Sequence, residues 1–278
     1  MSSPTRPNRV RATVSWRRWL GYLALVIVFS VTCVLLSKWQ FARLDEVRAQ
    51  IQLIDRNYAA APVPIADLLI PGQPLNPENE WRSIVVTGTY VPELQVLVRN
   101  RTHDGVSGFD IAAPLQDSSG ALFVVDRGWI PTGADGRTPS AIPALPSGPV
   151  TVVARLRTTE PILKGQSDTA DLVSSIHIAE LAKTWNRPAY IGAYGILASV
   201  TPPGSNGALA AKPDIGEGNH LSYALQWIAF ALLAFVALFW AIRNERRIRS
   251  GVPAKQRPSR KKRAPSDSEV EDAILDAR

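Results

Sequence analysis

The chain has 278 residues, a formal net charge of +7 and 46% hydrophobic residues. Its single cysteine, Cys33, excludes an intrachain disulfide, so any folded domain must be stabilised by its hydrophobic core. With only three histidines and one methionine, the sequence also lacks the clustered soft ligands that a copper chaperone or a zinc protein needs.

Two apolar runs, 20–36 and 221–242, contain no charged side chain. A spanning helix needs about 17–25 apolar residues, and Trp19 and Trp39 flank the first run as interfacial anchors do. The first run could also be a signal peptide, but "SKWQFARL" after it offers no small-x-small cleavage site. We therefore predict two transmembrane helices, at 19–38 and 219–242.

Charge flanking the two spans predicts their orientation. Segment 1–18, a basic tail, has five arginines and no acid, and four arginines follow the second span directly. Basic flanks stay inside, so both termini should be cytoplasmic. Segment 37–220, expected outside, holds 15 basic and 18 acidic residues, a net charge of −3. The positive charge thus faces membrane lipid, which argues against a nucleic-acid partner.

The polar and charged segment 243–278 should be a disordered cytoplasmic tail, since it has few large apolar residues. Only 18 residues precede the first span, which leaves little room for a transit peptide. The expected location is therefore a bacterial plasma membrane, with a multi-pass chain.

The residue pattern between the two spans changes twice along the chain. Apolar residues at intervals of three and four predict a helical extension over 39–60. Segment 61–218 then alternates short β-rich runs with turn residues, which predicts an extracytoplasmic, mainly-β domain. The expected fold class is therefore α+β, with two transmembrane helices flanking a small antiparallel β-barrel or sandwich.

The sequence contains no catalytic motif of a familiar hydrolase, nucleotide-binding or redox enzyme, so we predict a protein that is not an enzyme, without catalytic residues. Arg127 in "VVDRGWIP" should pair with a carboxylate or a carbonyl. His220 at the start of the second span is open to three interpretations: an interfacial residue, a metal ligand, or part of a docking surface.

Three stretches in order, "KWQFARL", "VVDRGWIP" and "NHLSYALQW", resemble the surfeit-locus protein 1 family of cytochrome c oxidase assembly factors. The likeness extends over roughly residues 20–243. One departure is Ser37, where the family usually has glycine. The resemblance implies a role in assembling an aa3-type haem-copper terminal oxidase, through haem a delivery to the core subunit or stabilisation of that subunit.

The resemblance also implies that His220 is a candidate metal ligand for the iron of a transiently bound haem a. Trp39 and Gln40 could face it across the helix pair, and Tyr223 and Trp227 follow it on one helix face. Arg43 could pair with a haem propionate. The expected cofactor-binding residues are His220, Trp39, Arg43, Tyr223 and Trp227. Expected partners are the oxidase core subunit, haem-synthesis enzymes and membrane lipid.

Two alternatives remain open at this point. The chain could be an interaction scaffold without haem, with helix contacts through Ala224, Ala237 and Ala241. It could also be a membrane-anchored cell-envelope binding or sensing protein with no oxidase role.

Overall fold

The computed structural model describes residues 16–163 and 169–250, which form two compact units. The helical unit contains residues 16–44 and 218–250, and the barrel unit contains residues 45–217. The parts of the two predicted tails before residue 16 and after residue 250 lie outside the described residues.

Two helices, α1 (Trp16–Ala59) and α3 (His220–Arg249), are long and apolar enough to cross a membrane. They contain the two predicted spans. Large apolar side chains cover their surface; Leu25 and Phe239, for example, are each 66% exposed. Contiguous apolar surface of this extent is rare on soluble proteins, so both helices are compatible with membrane anchoring.

Five strands close into a barrel in the barrel unit. They are β2 (Ser83–Tyr90), β4 (Val106–Asp117), β5 (Leu122–Pro131), β6 (Pro149–Thr158) and β8 (Ala193–Thr201). Their order is β2-β6-β8-β5-β4, and β4 pairs back onto β2. All these pairs are antiparallel except β5 with β8. The predicted α+β fold is confirmed, with a barrel between two apolar helices.

Three shorter strands and one helix complete the barrel unit. Strand β3 (Val96–His103) extends the sheet antiparallel to β4, and β7 (Leu172–Val173) lies parallel to β3. Strand β1 (Val63–Pro64) pairs in parallel with β2, and α2 (Ile178–Trp185) precedes β8. Strands β1, β3 and β7 thus extend the sheet beyond the five barrel strands.

Alternating apolar residues explain why the barrel closes. Along β6, Val150, Val152, Ala154 and Leu156 are at most 1% exposed, while the residues between them are less buried. A strand places every second side chain on one face, so this pattern fills the barrel interior. Strand β5 is buried on both faces because its outer face packs against α2.

Ion pairs connect the two ends of the barrel unit. Arg48, on the last turns of α1, donates from Nε and Nη2 to the two carboxylate oxygens of Glu217, at 3.0 and 2.9 Å. Two turns along the helix, Asp55 pairs with Lys212. The segment that enters the barrel unit therefore lies beside the segment that leaves it.

Candidate functional site

The two helices of the helical unit meet along a seam of small side chains. Ser30, Cys33 and Ser37 are buried on α1, and Ala224 is fully buried on α3. Ser37 Oγ donates to the carbonyl oxygen of Ala224 at 3.0 Å. Small residues allow helix backbones to approach closely. The serine that replaces the usual family glycine is therefore itself part of a close helix contact.

His220 lies at the start of α3, half-buried, next to Gln40 of the same seam. Its Nδ1 is 2.9 Å from the amide oxygen Oε1 of Gln40. Because an amide oxygen only accepts, Nδ1 must donate. In a neutral imidazole that donates from Nδ1, the lone pair is on Nε2, where a ligand can bind. The contact with Gln40 therefore orients the ring.

The other predicted site residues surround this pair unequally. Trp227 lies two turns after His220 on the seam and is partly buried. Trp39 is 60% exposed and Tyr223 48% exposed, and in the described chain neither has a hydrogen bond or ring contact with His220. Arg43 is exposed on α1. The structure thus brings Gln40, rather than Trp39, onto the imidazole.

Gly218 leaves space beside the imidazole of His220. It has φ of +66°, and a Cβ at that position would lie 3.6 Å from His220 Nε2. No group of three or more His, Cys, Asp or Glu in the described residues could hold a metal ion. A single histidine can still ligate a metal that carries its other ligands with it, as haem iron does.

Comparison with known proteins places the chain. The model of the SURF1 family matches residues 27–232, which include both seam segments, His220 and the whole barrel unit. The chain belongs to the SURF1 family.

Three relatives of this SURF1-family chain come from different organisms and match different shares of it. An uncharacterized SURF1-like protein of Mycobacterium tuberculosis is 32% identical over 249 residues, 86% of this chain and 90% of the relative. A SURF1-like protein of Dictyostelium discoideum is 28% identical over 38% of this chain and 41% of its own length. The cytochrome oxidase assembly protein SHY1 of Saccharomyces cerevisiae is 24% identical over 39% of this chain and 28% of its own length.

The Asp-Arg-Gly-Trp motif of this SURF1-family chain holds the barrel unit together. Arg127 is fully buried and donates to the carbonyl oxygens of Pro143, Ala144 and Ser205. It also donates to side-chain oxygens of Gln95 and Asn206, both at 3.3 Å. The expected partner of Arg127 was a carboxylate or a carbonyl, and carbonyls are confirmed. One guanidinium therefore joins two loops to β5.

Gly128 has φ of +103°, and a Cβ there would lie 2.7 Å from the carbonyl oxygen of Ala208. We expect Gly128→Ala to lower the free energy of unfolding by about 2–4 kcal/mol, through backbone strain and this clash. Thermal unfolding followed by circular dichroism measures the change. Gly136→Ala is the matched control, since Gly136 has φ of +65° but nothing within 4 Å of its added Cβ. Equal losses in the two variants would contradict the clash.

Sequence reasoning missed a charged cluster in the barrel unit. Arg101 on β3, Asp110 on β4, Asp126 on β5 and Glu160 after β6 line one cavity. They are separated by up to 59 residues along the chain and share no spacing motif. Only the pairing of the strands brings them together, so no pattern in the sequence could have indicated the cluster.

Proposed function

We propose that this chain is an assembly factor for a haem-copper terminal oxidase and that His220 holds haem a transiently on its way to the core subunit. The observation that carries the proposal is the hydrogen bond from His220 Nδ1 to Gln40 Oε1, which leaves Nε2 available as a ligand. Membership in a family that includes a yeast oxidase assembly protein supports it.

In this proposal α1 and α3 span a bacterial plasma membrane, with both termini in the cytoplasm and the barrel unit outside. The basic residues before α1 and at the end of α3 support that orientation. His220, at the first residue of α3, would then lie at the outer membrane surface. At this surface haem can keep its apolar ring in lipid and its two propionate carboxylates in water.

Each residue near His220 has a role in the proposal. Gln40 accepts from Nδ1 and orients the imidazole, as the outer hydrogen-bond acceptors of metal-bound histidines do. Trp39, Tyr223 and Trp227 supply aromatic surface for a flat apolar ring. Arg43 offers a guanidinium for a propionate carboxylate. When bound, haem a supplies the iron that His220 ligates.

A single protein ligand fits a carrier better than a permanent haemoprotein. His220 alone would hold the haem iron, so the oxidase core subunit or a haem-synthesis enzyme could compete for the haem. A haem-free scaffold would need only the seam of Ser30, Cys33, Ser37 and Ala224. Co-purification of oxidase subunits without any Soret absorbance would favour the scaffold.

The test of this function is a reduced-minus-oxidised spectrum of membranes from a strain that lacks the gene. We expect a selective loss of the a-type haem band relative to the b- and c-type bands. The wild-type gene and His177→Ala, which removes a histidine from the barrel unit, should both restore the band; His220→Ala should not. An unchanged a-type band in the deletion strain would contradict an oxidase role and favour the envelope-binding alternative.

A further inference from the structure

The barrel unit contains a cavity of about 440 Å³ whose walls are both charged and aromatic. We call it the acidic cavity. Its lining residues that matter here are Arg101, Asp110, Asp126, Trp129, Glu160 and Tyr194. Cavities of this size bind small ligands or single side chains. All six residues belong to the barrel unit, so the acidic cavity is separate from His220.

Arg101 pairs with two of the three acids. Its Nη2 donates to both carboxylate oxygens of Glu160, at 2.6 and 2.8 Å, and its Nε lies 3.1 Å from Asp110 Oδ2. Glu160 also accepts from the backbone nitrogen of Ile176. The single positive charge of Arg101 is therefore already shared between two carboxylates.

Asp126 is the third carboxyl, and it forms no ion pair within residues 16–163 and 169–250. Its side chain is 9% exposed, and among the described residues the backbone nitrogen of Gly128 is its only hydrogen-bond donor, to Oδ1 at 2.9 Å. Burial, and then the nearby Asp110, raise the pKa of Asp126 to about 7. A buried carboxyl without a counter-ion is costly, which a structural role alone does not explain.

Other charged and titratable groups around the acidic cavity do not supply the counter-ion. Arg157 on β6 pairs with Glu80 at 3.0 Å and stacks over the ring of Trp81 at 4.2 Å. The titratable groups that line the cavity with Asp126 are Arg101 and His103 from β3, Asp110 from β4, Arg157 from β6, Glu160 and Tyr194. With Glu80, the partner of Arg157, and with every carboxyl ionised and His103 neutral, these groups carry two positive and four negative charges, a net charge of −2.

Aromatic rings form the rest of the wall. Trp129 stacks on His103 with ring centroids 5.3 Å apart, and its Nε1 donates to the carbonyl oxygen of Arg101 at 3.3 Å. Tyr194 donates to Glu160 at 3.4 Å. Rings held by such contacts present fixed faces, and aromatic faces attract cations.

A β-bulge directs these groups into the acidic cavity. Between β4 and β5 the register shifts, so that Asp110 pairs with Trp129 while Ala112 pairs with Asp126. Asp126, Gly128 and Trp129 therefore line the cavity, whereas Arg127 joins the loops. Bulges are common beside binding sites because they redirect side chains.

We propose that the acidic cavity binds one organic cation, an alkylammonium or guanidinium group, with Asp126 as its counter-ion and Trp129 and Tyr194 as its aromatic wall. The cation can come from a free small amine or from a basic side chain of a partner polypeptide. This inference is independent of haem binding at His220.

Binding should be measured by isothermal titration calorimetry on the full chain in detergent, with Nα-acetylated L-argininamide and propylammonium as cations and Nα-acetylated L-citrullinamide as the uncharged isostere. Acetylation removes the α-ammonium charge of both amides, which are named below without the prefix. We expect the cations to bind and L-citrullinamide not to bind. Because the cation requires ionised Asp126, affinity should rise roughly tenfold from pH 6 to pH 8. Equal binding of L-citrullinamide, or an affinity independent of pH, would overturn the proposal.

Asp126→Asn is the decisive variant, since an amide oxygen can still accept from Gly128. We expect it to lose cation binding by at least tenfold while its melting temperature at pH 8 is not lower than that of the wild type. The matched control is Asp104→Asn, a side chain 93% exposed beside His103. Undiminished binding by a folded Asp126→Asn protein, or an equal loss in the control, would overturn the proposal.

A capped glycine hexapeptide with one internal arginine, and its citrulline counterpart, separate the two sources of the cation. Binding of the arginine peptide as tight as that of L-argininamide indicates a partner's basic side chain. Binding of L-argininamide alone indicates a free small cation. Failure of both to bind would overturn the proposal, whatever the outcome of the haem experiments.

Discussion

Arg127→Met is expected to destabilise the barrel unit by about 3–5 kcal/mol, since it removes a buried guanidinium that donates to three partly buried carbonyl oxygens. A typical domain is stable by only 5–15 kcal/mol, so this loss should lower the melting temperature severely or prevent folding. Circular dichroism melting of the full chain measures the effect.

Two further variants show whether geometry or charge matters at Arg127. Arg127→Lys keeps the charge, but a single ammonium cannot reproduce the guanidinium contacts to both loops, so it should recover only part of the stability. Arg137→Met removes an exposed arginine from the same unit and should change the melting temperature little. A melting temperature of Arg127→Met equal to that of the control would contradict the role assigned to this residue.

His220→Ala is expected to abolish haem a binding by the purified chain, since it removes the ligating nitrogen. The measurement is a Soret titration with haem a extracted from a purified oxidase. Added imidazole should restore part of the absorbance of His220→Ala by occupying the vacated volume. Unchanged affinity of His220→Ala would contradict the ligand assignment.

The hydrogen bond to Gln40 gives a second, independent test of the same site. Gln40→Leu removes the acceptor for Nδ1 and should weaken haem binding by roughly 10–100-fold, the usual effect of losing such a partner. Gln40→Glu keeps an acceptor and should preserve binding, with a lower reduction potential because the imidazole becomes more basic. Equal affinities for the leucine and glutamate variants would show that the hydrogen bond does not matter.

Much of the barrel could be predicted because its signals are local. The run "SIVVTGTY" at 83–90 is rich in β-branched residues and forms β2. The aspartate, serines and glycine of "QDSSG" favour a turn, and Asp117 Oδ1 accepts from the backbone nitrogens of Ser119 and Ala121. The alternation of apolar and polar residues and the residue preferences of turns each depend on a few neighbouring residues. Both can therefore be predicted directly from the sequence.

The site was only partly accessible from the sequence. His220 stood out as an ionisable residue at the edge of an apolar run, but Trp39 and Gln40 seemed equally able to face it. The seam on α1 follows a spacing of three and four residues, through Ser30, Cys33 and Ser37. The next position in this series is Gln40, which contacts His220. Trp39 therefore lies outside the seam. The acidic cavity had no such signal because it depends on strand pairing and on a one-residue bulge.

The contact between Arg48 and Glu217 affects the entropic cost of assembling α1 with α3. Without it, residues 44 and 218 would be the ends of a very long loop, and closing that loop would cost entropy. Once the barrel has folded, its ends are already adjacent, which reduces the cost by on the order of 2–3 kcal/mol. The folded barrel thus acts as a short tether that raises the effective concentration of α3 near α1. The contacts between α1 and α3, among them the Ser37–Ala224 and His220–Gln40 hydrogen bonds, therefore form at a lower entropic cost.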